Sequence, residues 1–220
     1  RRALACGLTA PYIGSTASRA SRRVRSAAGG ARPPTAPGSL DGPVWRFAVR
    51  IAQIAPLYES VPPRSYGGTE RVVAYLTDEL VAQGHDVTLF ASADSTTRAR
   101  LVPCAPQALR LCPGSIDSLA HHVLMLERLI GAAAAFDVLH FHIDYLHFPL
   151  SRLHGWPNVT TLHGRLDIPD LVPIYDEFAE MPVVSISDAQ RAPLPRAGWQ
   201  ATVQHGLPVN LHAFSPGPGS

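Results

Sequence analysis

From residue 49 onward, short aliphatic runs alternate with amphipathic segments, and no other feature restricts the fold so strongly. Val49-Arg50-Ile51-Ala52-Gln53-Ile54-Ala55 carries apolar residues at 49, 51 and 54 and stops at Pro56, which predicts a strand followed by a loop. The loop runs through Pro62-Pro63 to Gly67-Gly68. A helix is expected next, with Thr69 as its N-cap and Val72, Val73, Leu76 and Leu80 at helical spacing, ended by Gly84. Asp86-Val87-Thr88-Leu89-Phe90-Ala91 reads as a second strand. The order strand, glycine loop, helix, strand is a βαβ unit, and its two strands are parallel.

The alternation continues. Residues 95–114 read as irregular. Residues 116–135 read as a helix with Leu119, Val123, Leu126 and Ile130 on one face. Strands are expected over 137–142, 158–163, 182–186 and 201–204, with short helices over 146–153, in part of 170–180, and after Ser187-Asp188. Strands that are near-continuous apolar runs predict a parallel sheet covered on both faces, a Rossmann-like α/β class. Binding residues then belong at the carboxyl ends of the strands.

Charge divides the chain. Residues 1–40 hold seven arginines and no acid, which leaves 12 arginines against all 17 acids in the remainder. The net +2 therefore averages a basic tail with a mildly acidic domain and argues against a nucleic-acid surface. The tail is rich in Arg and Ser, as transit peptides are, but Gly29-Gly30, Pro33-Pro34 and Pro37-Gly38 interrupt any amphipathic helix. Residues 1–48 read as a disordered leader, 49–210 as the domain, and 211–220 as a linker stub. Cys6, Cys104 and Cys112 are odd in number and lack metal-like spacing, which fits reduced thiols and a cytoplasmic protein. No apolar run reaches the ~18 residues of a membrane helix.

Several residue groups have the chemistry of a site. Gly67-Gly68 ahead of a helix brings bare backbone N–H groups and the positive helix end to one spot, suited to phosphate or diphosphate. The pattern is neither G-x-G-x-x-G nor a Walker sequence, and a tight turn is the alternative. His140-x-His142-x-Asp144 resembles the metal-ligand run of the metallo-β-lactamase superfamily, but Tyr145 stands where that run has a histidine. Histidines making hydrogen bonds at a strand mouth are the other reading. His163, closing a strand before Gly164, is either a core histidine or a donor to a sugar hydroxyl or phosphate. Arg165 beside it either pairs with an anion or is solvated. Ser187 reads first as a helix cap, and His205-Gly206 as a turn after the last strand.

Read in order, these segments resemble the N-terminal domain of the retaining GT-B glycosyltransferases of family 4. The resemblance is carried by residues 49–56, Gly67-Gly68-Thr69-Glu70-Arg71-Val72-Val73, Leu80 with Gly84-His85-Asp86-Val87-Thr88-Leu89-Phe90, Asp137-Val138-Leu139-His140-x-His142, and Thr161-Leu162-His163-Gly164. It implies a domain that supplies the acceptor site and a glycine loop approaching the diphosphate of a nucleotide-sugar donor. Gly67, Gly68 and Thr69 would be the diphosphate contacts and His163 the catalytic residue. His142, Asp144, Gly164, Arg165, Ser187, His205 and Gly206 would be further substrate contacts. The reaction implied is sugar transfer with retention, without a required metal or other cofactor. The acceptor stays open. Membrane association through an acceptor lipid occurs in the family, but no amphipathic basic helix supports it here.

Two departures qualify the match. His205-Gly206 stands where the family often has Asn-Gly, and the chain stops where the family's linker leads to the nucleotide-holding domain. The expectation is a truncated transferase domain, inactive alone. The alternatives are a metal-dependent hydrolase using His140, His142 and Asp144, and a non-catalytic nucleotide- or sugar-binding module.

Overall fold

The computed structural model describes residues 48–208 and Leu211. The expected leader, except for Ala48, and the expected linker, except for Leu211, lie outside the described residues. Seven strands form one sheet: β1 (Arg50–Ile54), β2 (Asp86–Ser92), β3 (Arg100–Ala105), β4 (Val138–Phe141), β5 (Asn158–Thr161), β6 (Val183–Ser185) and β7 (Trp199–Thr202). They pair in the order β3-β2-β1-β4-β5-β6-β7, every pair parallel. The helices between them are α1 (Gly68–Ala82), α2 (Ser118–Ala132), α3 (Phe148–His154), α4 (Leu171–Glu177) and α5 (Asp188–Arg191). This is the expected Rossmann-like parallel sheet with helices on both faces.

The chain steps outward from β1 to β2 and β3, then returns past β1 to β4. That reversal opens a crevice between the carboxyl ends of β1 and β4, where ligands bind in open α/β sheets.

The two faces are covered differently. Right-handed crossovers put α1 on one face and the helices that follow β3 on the other. On the α1 side, Val73 and Ala74 pack against Ala55, Leu89 and Ala91. On the opposite side, Met125, Leu126 and Leu129 of α2 pack against Ala52, Ile54, Phe90, Leu139 and Phe141. A second cluster there joins Phe148 of α3 and Leu171 and Tyr175 of α4 to Leu162 and Val183. Burial of that kind stabilises by roughly 1.5–3 kcal/mol per large side chain.

Four expectations need correction. Residues 95–114 contain β3, hidden in the sequence by Pro103. β3 is one edge of the sheet and its pairing with β2 shifts register just past Pro103, two circumstances in which a strand tolerates a residue without N–H. Thr69 is not the N-cap of α1; Gly67 is, without a side-chain cap, and Thr69 lies in the first turn. In α2 the buried residues are His122, Met125, Leu126 and Leu129, whereas Leu119 and Val123 are 52% and 56% exposed. Periodicity gave the helix but not its rotation, which His122 sets by accepting from the Leu57 N–H with Nε2 at 3.2 Å and bonding the Ser118 carbonyl with Nδ1 at 2.7 Å. The last strand is Trp199–Thr202, not 201–204. Gly198, just before it, has no room for a side chain, because a Cβ there would clash with the Met181 carbonyl oxygen.

Candidate functional site

A cleft of about 740 Å³ lies at the switch point. One wall is the end of the β1–α1 loop, Tyr66 and Gly67, with the first turn of α1, Gly68, Thr69 and Glu70. The other comes from β4 and β5 and the segments after them: His142, Asp144, Tyr145, His163 and Gly164, with His205 at the edge. Tyr66 and His205, 139 positions apart in the sequence, therefore share one cavity, because the sheet gathers the carboxyl ends of its strands along one edge.

Gly67 is needed for space. Its φ of 162° is ordinary extended backbone, but a Cβ there would lie 2.7 Å from the Pro63 Cβ and 3.0 Å from the Glu70 Oε2. The left-handed conformation that glycine permits is thus not what this position uses. Gly68 differs: a Cβ there would meet nothing within 4 Å. The protein itself does not demand glycine at 68, and the space its bareness leaves belongs to the cleft.

Glu70 was not singled out by sequence reasoning. It is 5% exposed, and burial pushes its carboxyl above the usual carboxylate range. As the third residue of α1 it occupies the position from which a carboxylate folds back over a helix start, a signal that was readable. Arg110 carried no such signal. It lies in a single 3-10 turn after β3 (Leu109–Leu111), pairs with the buried Glu59 at 3.2 Å, and stands 5.9 Å from the Tyr66 ring centre.

A row of polar side chains crosses the α1 face beneath the cleft. Gln53, fully buried in β1, has Oε1 2.7 Å from His142 Nε2 and Nε2 3.4 Å from His140 Nδ1. His142 Nδ1 is 2.8 Å from His163 Nε2, and His163 Nδ1 is 3.0 Å from His205 Nε2. His140 Nε2 reaches Thr161 Oγ1 at 2.8 Å. Burial lowers all four imidazoles: His140 to about 4, His163 to about 3, His142 well below its ordinary value, and His205 in the same direction. The row is neutral at pH 7, because a buried charge without a counter-ion is costly.

That arrangement leaves no set of metal ligands at His140, His142 and Asp144. The ring nitrogens of both histidines face Gln53, Thr161 and His163. Asp144, with φ 52°, lines the cleft, where burial pushes its carboxyl above the usual carboxylate range. Among the described residues no group of three or more His, Cys, Asp or Glu side chains could hold a metal ion. His147 is separate again, bonded to Ser151 Oγ and Thr160 Oγ1, each at 2.7 Å, and stacked on Phe141 on the opposite face.

The other expected contacts divide. Gly164 lines the cleft. Arg165 pairs with Asp167 at 2.7 Å on the surface, and Ser187 caps α5 by accepting from the Gln190 N–H. Gly206 lines a second groove of about 710 Å³ over β4, β5 and β6 beside α1, which shares His142, His163 and His205 with the cleft. Val72, Tyr75 and Leu76 of α1 form that groove's far side.

A parallel α/β sheet with a glycine-bordered cleft at its switch point, where ligands of such folds bind, defines a Rossmann-like domain. The particular family follows from comparison: the chain belongs to Glycosyltransferase Family 4, whose profile matches residues 66–201. No curated protein matches the chain. Among solved structures, a glycosyltransferase involved in avilamycin A biosynthesis is 26% identical, with a TM-score of 0.45, covering 67% of this chain and 39% of that one. Sucrose-phosphate synthase from Thermosynechococcus elongatus is 16% identical, with a TM-score of 0.49 and coverage of 70% and 47%. A glycosyltransferase from Rickettsia africae is 16% identical, with a TM-score of 0.44 and coverage of 70% and 42%. The chain thus spans less than half the length of each. No helix among the described residues is long and apolar enough to cross a membrane.

Proposed function

We propose that this domain is the acceptor-side half of a retaining glycosyltransferase that uses a nucleotide sugar. The observation that carries the reading is the single cleft joining the start of α1 to His163. The donor's diphosphate would lie against Gly67, Gly68 and Thr69, where the uncapped end of a 15-residue helix presents N–H groups and a partial positive charge. Fixed donors of that kind stabilise charge building on a leaving diphosphate without reorganising. The transferred sugar would lie beside His163, with His142, Asp144, Gly164 and His205 around it. The acceptor would enter past the exposed rings of Tyr58 and Tyr66. The nucleotide would be held by a surface outside the described residues, so turnover by the 220-residue chain alone should be negligible. Robust turnover of any nucleotide sugar by that chain would refute this division of labour.

Gly68→Ala tests the diphosphate contact directly. The added methyl meets no protein atom, so stability should change by no more than about 0.5 kcal/mol, as at an unconstrained surface site. Binding of pyrophosphate, followed by calorimetry, should weaken at least about tenfold, equivalent to about 1.4 kcal/mol. Unchanged pyrophosphate binding by a folded variant would remove the glycine loop from the donor site.

A further inference from the structure

The histidine row has a direction, and Gln53 sets it. A neutral imidazole has one N–H donor and one bare acceptor nitrogen. At Gln53 the contact to His142 is 2.7 Å and the contact to His140 is 3.4 Å. The short contact suits N–H···O and the long one a weak N–H···N. Gln53 Oε1 therefore accepts from His142 Nε2–H, and its amide nitrogen faces the bare Nδ1 of His140. His142 Nδ1 is then bare, so His163 must donate to it from Nε2. His163 Nδ1 is bare in turn and accepts from His205 Nε2–H. Reversing the amide would reverse every bond in the row, so a single side chain decides the whole pattern.

We propose that Gln53 is a positioning residue: through His142 it fixes His163 as the Nε2–H tautomer, so that the nitrogen of His163 on the His205 side is an acceptor. His205, exposed at the rim, occupies the place of a donor on that nitrogen. A ligand that displaces His205 must bring an O–H or N–H of its own, as a sugar hydroxyl does; a phosphate oxygen or carbonyl would meet a lone pair. The tautomer assignment stands independently of the glycosyl-transfer reading, and only the identification of the donor as a sugar hydroxyl rests on it.

The test is ¹⁵N-imidazole NMR of the histidine-labelled chain at pH 7 without substrate, each ring assigned by single substitution. Protonated and bare ring nitrogens have widely separated shifts. His122 is an internal control for folding: its Nε2 accepts from the Leu57 N–H, so it must be the Nδ1–H tautomer. The expected spectrum shows His142 and His163 as Nε2–H, and Gln53→Met moves both toward tautomer-averaged shifts while His122 stays in place. A second variant, His205→Ala, cuts the row at its exposed end and does not depend on a folded Gln53 variant. His163 should remain Nε2–H in it. Finding His163 as Nδ1–H in the unaltered chain overturns the proposal, as does averaging of His163 in His205→Ala. Because no activity is read, either failure leaves the transferase reading untouched, and loss of the transferase reading leaves the tautomers unaffected.

Discussion

The two faces of the sheet are built from adjacent residues of the same strands yet obey different rules. In β4, Leu139 and Phe141 face α2 and are fully buried among aliphatic and aromatic side chains. His140, between them, and His142, just past the strand end, face the α1 side and bond to Gln53, Thr161 and His163. Around β4 the first face is held mainly by apolar contact, with His147 and its bonds to Ser151 and Thr160 the polar exception. There the second face depends on matched donors and acceptors, where one wrong group leaves a buried polar atom unsatisfied, while farther along α1 it is apolar, with Val73 and Ala74 on Leu89 and Ala91. The fold rests mainly on the first face, and the proposed chemistry of the cleft on the second.

The largest expected effect comes from the apolar face. Phe141→Ala removes a fully buried ring stacked on His147 at 3.5 Å and should cost about 3–5 kcal/mol in urea unfolding. A cost under about 1 kcal/mol would mean that this face is not the main support. Acid should act next. His140, His147 and His163 have folded pKa values of about 4, 3 and 3, below the unfolded value near 6.5. Between those limits the unfolded chain binds more protons, so stability is present above about pH 6.5 and declines as pH falls through the window. The slope should be about 1.4 kcal/mol per pH unit for each histidine held neutral. Urea midpoints at pH 7, 6 and 5 check this, and a flat profile would contradict the buried neutral row.

Gln53→Met should cost about 1–3 kcal/mol, because it strands the His142 Nε2–H in a buried site without creating a cavity. A loss as large as that of Phe141→Ala would erase the contrast between the faces. The smallest effect is expected at Tyr175, whose hydroxyl is buried without a hydrogen-bond partner among the described residues. Tyr175→Phe should leave the thermal midpoint unchanged or slightly raised, by no more than about 1 kcal/mol. A marked loss would show that this hydroxyl is satisfied by water.

Legibility in the sequence followed physical locality. α1 was readable because Gly67 and Gly84 bracket a run of helical spacing, Gly67 because it directly precedes α1, and His163 because it stands two residues past the end of β5. β3 was not, since Pro103 argues against a strand until its edge position is known. Gln53 was invisible as a functional residue: one glutamine inside a strand belongs to no motif. Arg110 reaches the cleft from a single 3-10 turn, too short for any spacing to mark it. The buried side of α2 was misread because period alone cannot say which of two overlapping stripes meets the sheet; the bonds of His122 to Leu57 and Ser118 decide that.

By itself the sequence determined the class of fold, the parallel sense of the strands and the two ends of the cleft, because these follow from period, glycine placement and the rule that binding groups gather at strand ends. The tertiary structure decided which residues meet. Strand order brings β1, β4 and β5 side by side, and the pleat sends Gln53, His140, His142, Thr161 and His163 to one face, so residues 89 positions apart in sequence come within 2.7 Å. The direction of hydrogen bonding along that row is a property of the assembled face and of no segment alone.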